Sequence, residues 1–108
     1  MVEFFGTQAT DSVIVHVEAF LEDLIPGFLE DRKKDVETIV AACRQGDYQT
    51  IRTLGHIMNG SGAGYGFDAI TDIGRSLEQA TKDENPPEIL MLADELATYL
   101  ERVEILYE

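Results

Sequence analysis

One histidine in this chain occupies a position where an imidazole can do chemistry. On a helix that turns by about 100° per residue, His56 points away from the apolar side that carries residues such as Met58. Its expected neighbours are Arg52, one turn before it, and Asn59 and Gly60, one turn after it. A cation, an amide donor and a missing side chain suit a phosphoryl group better than a metal ion. The pattern therefore predicts an exposed nitrogen nucleophile.

Four glycines at alternate positions begin one helical turn after His56, at Gly60, Gly62, Gly64 and Gly66. Inside a helix each would cost about 0.8–1.0 kcal/mol relative to alanine. If the helix continues, one pair opens the surface beside His56 and the other lets a neighbouring helix pack closely. The alternative is that the helix ends here and the glycines form its exit loop. A nucleotide-binding loop is not expected, because the preceding residues are helix-periodic and no Lys-Ser/Thr pair follows.

The remaining candidate groups point to structure rather than chemistry. His16 is out of phase with the valines around it, and we expect it to be exposed and inactive. No metal site is expected, because only two histidines are present and no cysteines have ligand spacing. Cys43 lies in an apolar helical register and is interpreted as a buried thiol. Phe28, Tyr65 and Phe67 are interpreted as core residues.

Composition limits the class of protein. With 108 residues and 44% hydrophobic content, the chain supports one compact domain. It has 21 acidic and 8 basic residues and a net charge of −13, which argues against nucleic acid and anionic membranes as partners. No apolar run has transmembrane length, and the N-terminus lacks the basic region of a signal peptide. We therefore expect a cytoplasmic protein.

The N-terminal part is predicted to be extended. Residues 13–17 alternate and are β-branched, but no second strand is evident to pair with them. We therefore expect an extended lead-in that packs its valines on the core. A short helix should follow, with Phe20, Leu21 and Leu24 facing inward.

Four amphipathic helices follow, separated by short turns. We expect the first from about Pro26 to Arg44, the second from about Tyr48 to Gly64 with Asp47 as its cap, the third from a capping Asp68, and the last after Asp83–Pro87, reaching Val103. Short connections between such helices imply antiparallel neighbours. The predicted fold is an all-α, antiparallel four-helix bundle, with residues 1–17 as an arm and lead-in and 18–108 as a single domain.

Several segments together resemble a known family, the histidine-containing phosphotransfer (HPt) domains. The resemblance runs from about Leu24 to about Glu104, and the segments that carry it are 24–30, 55–62, 65–67 and 73–78. It implies a helical bundle that carries a phosphoryl group between receiver domains in two-component phosphorelays. The histidine followed by its glycines is the specific part of the match.

The resemblance also assigns roles to residues. It implies that His56 is phosphorylated on Nε2 and that Gly60 is the small residue that gives access to it. The family pattern has a lysine three residues after the histidine, where this chain has Asn59. We expect Asn59 and Arg52 to stabilise the phosphoryl group, with Arg52 supplying part of the missing charge. The residues expected to dock the partner are Thr53, Ile57, Ala63 and Gly64.

The expected function is therefore transfer of a phosphoryl group between His56 and the aspartate of receiver domains. Expected partners are a response-regulator receiver domain, a hybrid histidine kinase, or both. The chain should need no cofactor or metal of its own, with Mg²⁺ on the receiver, and should be a monomer. No ATP-binding segment is evident, so we expect a phosphocarrier rather than a kinase. The alternatives are an adaptor that binds a receiver or kinase through the same face without carrying phosphate, and a purely structural or dimerisation module.

Overall fold

The computed structural model describes residues 12–108 and contains four α-helices and a two-stranded sheet. The elements in chain order are β1 (Val13–Val17), a 3₁₀ turn (Ala19–Leu21), α1 (Ile25–Arg44), α2 (Tyr48–Ser61), a second 3₁₀ turn (Ala63–Tyr65), α3 (Asp68–Lys82), α4 (Pro86–Arg102) and β2 (Val103–Tyr107). The predicted helical bundle is confirmed. Of the arm and lead-in predicted over residues 1–17, residues 1–11 lie outside the described residues, and the domain boundary after residue 17 stays a prediction.

Local capping explains where the helices begin. The Asp47 carboxylate accepts a hydrogen bond from the backbone N–H of Thr50 at 3.2 Å, as predicted for the start of α2. Asn85 caps α4 in the same way. Asp68 was predicted to cap α3, and this was wrong, because α3 begins at Asp68 itself and Phe67 occupies the cap position. The Asp68 carboxylate lies in the first turn instead, where the helix dipole favours a negative charge.

The core lies between two packed helix pairs, α2 against α3 and α1 against α4. Each helix contributes fully buried aliphatic or aromatic side chains, and Phe67 adds a ring from the turn before α3. The largest of these buried side chains are Phe67, Ile25, Ile39, Ile51, Met58, Ile70, Leu77, Ile89 and Leu96. Within residues 12–108, every helix is too short or too polar to cross a lipid bilayer.

The expectation that no second strand exists was wrong. β2 pairs with β1 in parallel, and the register sets Val13 opposite Val103 and Val17 opposite Tyr107. α4 was predicted to include Val103, but the backbone there is extended, with φ −71° and ψ 132°. Burial of Val15 and Val17 confirms that the lead-in packs valines on the core.

The short N-terminal helix also differs from its prediction. It is a 3₁₀ turn of three residues, too short to bring three side chains to one face. Leu21 is half-buried, but Phe20 is 78% exposed and Leu24 is 55% exposed. Both of these side chains were predicted to face inward, and both face solvent.

Candidate functional site

His56 stands on the solvent-facing side of α2. Its side chain is 78% exposed, whereas Ile51 and Met58 on the opposite side of the helix are fully buried. The apolar side anchors the helix in the core, and the Asp47 cap fixes where it begins. The predicted exposure of His56 is confirmed.

A carboxylate on α3 orients the His56 ring. Nδ1 of His56 lies 3.2 Å from Oε2 of Glu78, whose side chain is only 22% exposed. An ionised carboxylate can only accept hydrogen bonds, so the neutral ring donates its Nδ1–H to Glu78. Nε2 then carries the lone pair. Asn59 donates from Nδ2 to the other carboxylate oxygen, Oε1, at 3.2 Å, so one carboxylate joins both side chains.

Glu78 reaches the ring because α2 and α3 touch backbone to backbone. A Cβ placed on Gly74 would lie 2.5 Å from the carbonyl oxygen of Gly55 and 2.7 Å from the backbone nitrogen of Asn59. Glu78 follows Gly74 by one helical turn, and His56 is the residue after Gly55. The crossing of the two glycines therefore sets the distance between the imidazole and the carboxylate.

Glu78 is the site residue that the sequence reasoning missed. It lies within a segment that carried the family resemblance, but no role was given to it. The sequence does contain a signal for Glu78. Gly74 and Glu78 are one turn apart on the same face of an amphipathic helix, so a close approach of another helix at Gly74 brings Glu78 near that helix.

The predicted division of the glycines after His56 is confirmed for three of them. Gly66 differs, because it packs against β1 rather than a helix, with φ +96° and 3.2 Å between its Cβ position and the His16 carbonyl oxygen. A Cβ on Gly60 or Gly64 would meet no heavy atom within 4 Å, so both leave open space. A Cβ on Gly62 would lie 2.6 Å from the backbone nitrogen of Thr71, so this glycine permits close packing of α3. The exit-loop alternative is also partly right, because α2 ends at Ser61.

A hydroxyl on α3 holds the chain where α2 ends. Thr71 is buried, and its Oγ1 accepts a hydrogen bond from the backbone N–H of Ala63 at 2.7 Å. The same hydroxyl donates to the carbonyl oxygen of Asn59 at 3.3 Å. The path of the chain beyond His56 is therefore fixed from the buried side, while Gly60 and Gly64 stay open on the other.

The other predicted site residues share the exposed surface with His56. Arg52, Thr53, Ile57 and Ala63 are all exposed, and Ile57 shows 46% of its surface. The Thr53 hydroxyl donates to the backbone carbonyl of Gln49 at 3.0 Å, which folds that side chain onto its own helix. Within residues 12–108, Arg52 makes no hydrogen bond to the His56 ring. It lines a separate depression between α2 and α3.

An aromatic cluster supports the turn beyond α2. The Phe28 ring packs against Tyr65 and Phe67 with centroid distances of 4.8 and 5.6 Å, which confirms these residues as part of the core. Arg32 lies 4.9 Å above the Phe28 ring and donates to Asp35 at 2.7 Å. Burial raises the pKa of the Asp35 carboxyl, and the Arg32 hydrogen bond opposes that rise.

The remaining chemical groups lie outside this arrangement. His16 is exposed and pairs with Glu108 at 2.5 Å rather than with His56. Cys43 is buried, as predicted. Over residues 12–108, no three His, Cys, Asp or Glu side chains are grouped so that they could hold a metal ion.

Comparison with known proteins gives one match. The family model described as the Hpt domain matches residues 23–105, which is most of the chain. Comparisons with curated proteins and with solved structures found no match.

Proposed function

This chain belongs to the Hpt domain family, the phosphocarrier modules of phosphorelays, and we propose that it carries its phosphoryl group on Nε2 of His56. The observation that supports this most is the state of the ring. Glu78 occupies Nδ1, and Nε2 belongs to a side chain that is 78% exposed. A partner can therefore approach the nitrogen that holds the lone pair.

In the proposed reaction the Nε2 lone pair attacks the phosphorus of a receiver's phospho-aspartate in line. The new N–P bond forms as the P–O bond to the aspartate breaks, and the aspartate carboxylate leaves with that electron pair. The ring keeps its Nδ1 proton and becomes cationic, and the Glu78 carboxylate stabilises this charge. Transfer to a second receiver aspartate reverses these steps and returns a neutral imidazole.

Three neighbouring residues are proposed to assist. Asn59 has two amide N–H donors, and while one holds Glu78 the other can donate to a phosphoryl oxygen. Arg52 adds positive charge one turn before the ring, in place of the lysine in the family pattern. Gly60 leaves the approach to Nε2 open, since nothing lies within 4 Å of where its side chain would begin.

Hpt domains work with receiver and kinase domains, and we propose that the exposed side of α2 is the contact surface in this chain. Thr53, Ile57, Ala63 and Gly64 are exposed around His56 and would touch the partner. The specific partner is proposed to be a response-regulator receiver, alone or within a hybrid histidine kinase, with Mg²⁺ bound on the receiver. We propose a cytoplasmic monomer for this role.

A labelling experiment tests the proposal. Incubation with a phosphorylated receiver domain should label the wild-type chain with an acid-labile, base-stable phosphoryl group. His56→Gln should lose the label, because it removes the nucleophile. His16→Gln is the matched control and should keep the label, since it removes the chain's other histidine.

Two results would contradict the proposal. A label that persists on His56→Gln would place the phosphoryl group elsewhere. Binding of the receiver with no label on the wild-type chain would instead identify an adaptor that carries no phosphate.

A further inference from the structure

A polar depression of about 280 Å³ lies one helical turn from His56. Its walls come from the first half of α2 and from the end of α3 with the turn after it, and the two helices run in opposite directions past each other. The lining residues are Tyr48, Gln49, Arg52, Thr81, Lys82 and Glu84. Of these residues, only Arg52 has a role in the proposed phosphoryl transfer.

Two cations in this depression lie on the same side of the His56–Glu78 pair. Arg52 precedes His56 by one turn on α2, and Lys82 follows Glu78 by one turn on α3. Because the helices are antiparallel, these two steps lead in the same direction. Both side chains are exposed, so the pair forms a cationic surface one helical turn from the His56–Glu78 pair.

Most of the molecule has the opposite charge, and within residues 12–108 three of the other six lysines and arginines form ion pairs with neighbouring carboxylates. The lysine and arginine ion pairs join Arg32 to Asp35, Lys33 to Glu30 and Arg75 to Asp72, and Lys34, Arg44 and Arg102 form none in that range. Neither Arg52 nor Lys82 belongs to any ion pair in that range. Glu84 contributes the single carboxylate of the lining, and it is not within ion-pair distance of either cation.

The surface on the other side of His56 is different in kind. Ile57 is 46% exposed, and Gly60 and Gly64 present no side chain. His56 therefore stands between a cationic flank, formed by Arg52 and Lys82, and an apolar flank with few side chains. A partner that fits both flanks can dock in only one orientation.

We propose that the cationic flank receives an acidic side chain of the receiver domain that exchanges phosphate with His56. This inference rests on the proposed function and adds the chemistry that orients the partner. A chain with net charge −13 repels an acidic partner over most of its surface, so a local cationic pair directs the encounter. Charged groups at the rim of an interface act mainly on the association rate and its salt dependence.

The test uses Lys82→Glu, with Lys34→Glu as the matched control. Both substitutions make the same change in charge at an exposed helical lysine, but Lys34 lies on α1 outside the depression. The probe is a receiver domain. Among the receiver domains of the source organism, it is the one that binds the wild-type chain most tightly. Circular dichroism of both variants confirms that they are folded, and Lys82→Gln provides a milder second variant.

We expect Lys82→Glu to weaken receiver binding about tenfold at low salt, because an attractive charge becomes repulsive. The difference should shrink at 1 M salt, where the screening length falls to about 3 Å. Lys82→Gln should show a smaller loss, and Lys34→Glu should stay within about twofold of wild type. Titration calorimetry measures all four proteins.

Equal binding by Lys82→Glu and Lys34→Glu would overturn the inference, as would a loss that does not depend on salt. This readout separates the inference from the proposed function, since binding is measured whether or not His56 is labelled. Phosphorylation by phosphoramidate, a small donor, provides the second comparison. If Lys82→Glu lowered labelling by phosphoramidate as much as labelling by the receiver, Lys82 would act on the phosphoryl group and not on docking.

Discussion

The two sides of α2 and of the turn that follows it use glycine in opposite ways. On the side facing α3, Gly55 and Gly62 let another backbone approach so closely that a methyl group would collide with it. On the side facing solvent, Gly60 and Gly64 have nothing near them. The same missing side chain therefore brings a helix closer on one side and leaves open space on the other.

Packing on the buried side of α2 sets the orientation of a side chain on its exposed side. The close approach of Gly55 and Gly74 is what allows Glu78 to reach Nδ1 of His56. Under the proposed function, access to Nε2 depends on Gly60, whose missing side chain faces open space rather than α3. Orientation and access are thus separate properties of one helix, and substitutions can change them separately.

The largest expected effect is on the close-packed side. Gly74→Ala places a methyl group 2.5 Å from the Gly55 carbonyl oxygen, so a backbone must move. We expect the free energy of unfolding to fall by about 3 kcal/mol, at the upper end for overpacked cores. Urea denaturation measures this. Gly60→Ala is the control, and it should raise stability by about 0.4–1 kcal/mol because it relieves a helical glycine without a clash.

Equal changes in stability for the two alanine variants would contradict the difference between a close-packed Gly74 and an open Gly60. A stable Gly74→Ala protein would mean that the two helices can separate at low cost. The orientation of His56 by Glu78 would then not depend on the glycine crossing.

The next largest effect is expected on the open side. Gly60→Leu adds a branched side chain one turn from His56, in space that is empty. We expect phosphoryl transfer from a receiver to slow by about tenfold or more, since small displacements of reacting groups have large effects on rate. The protein should remain folded. Single-turnover labelling measures the rate, and an unchanged rate would show that Gly60 does not control access.

The smallest expected effect is on the pH dependence of stability, and it comes from the cap at the start of α2. The Thr50 hydroxyl and then the Thr50 backbone N–H hold the pKa of Asp47 below its usual 3.8. A carboxyl with a lowered pKa in the folded state contributes stability above its unfolded pKa and loses it as pH falls. Stability should therefore decrease below about pH 4, measured by thermal unfolding between pH 2 and 6.

Asp47→Asn is the matched variant for that measurement. It keeps an acceptor for the Thr50 N–H but cannot ionise, so it should lack this part of the acid dependence. If wild type and Asp47→Asn lost stability in parallel as pH fell, the cap would not be the cause.

The features that the sequence predicted correctly are local ones. The exposure of His56, the cap at Asp47 and the open side at Gly60 depend on residues within about two turns of each other, which helical geometry fixes. Glu78 was missed because it is twenty-two residues from His56, and only the packing of α3 on α2 brings them together.

The errors near the N-terminus have a related cause. Phe20 and Leu24 were placed inward on the assumption of a regular amphipathic helix, and the segment makes only a 3₁₀ turn. β2 was missed because Val103–Tyr107 finds its partner in β1, at the other end of the described residues. No local pattern specifies that pairing.

The parallel pairing of β1 with β2 also has a consequence for the order of folding. Val13 and Val103 are neighbours in the sheet, although almost the entire bundle separates them in sequence. Contacts between successive helices close short loops and can form early, whereas this pairing must wait until the intervening chain is compact. We therefore expect the strand pair to form late in folding. Because it joins only two strands and leaves Val13, Ile14 and His16 exposed, we also expect amide protons in Val13–Val17 to exchange with solvent before those of α2 and α3.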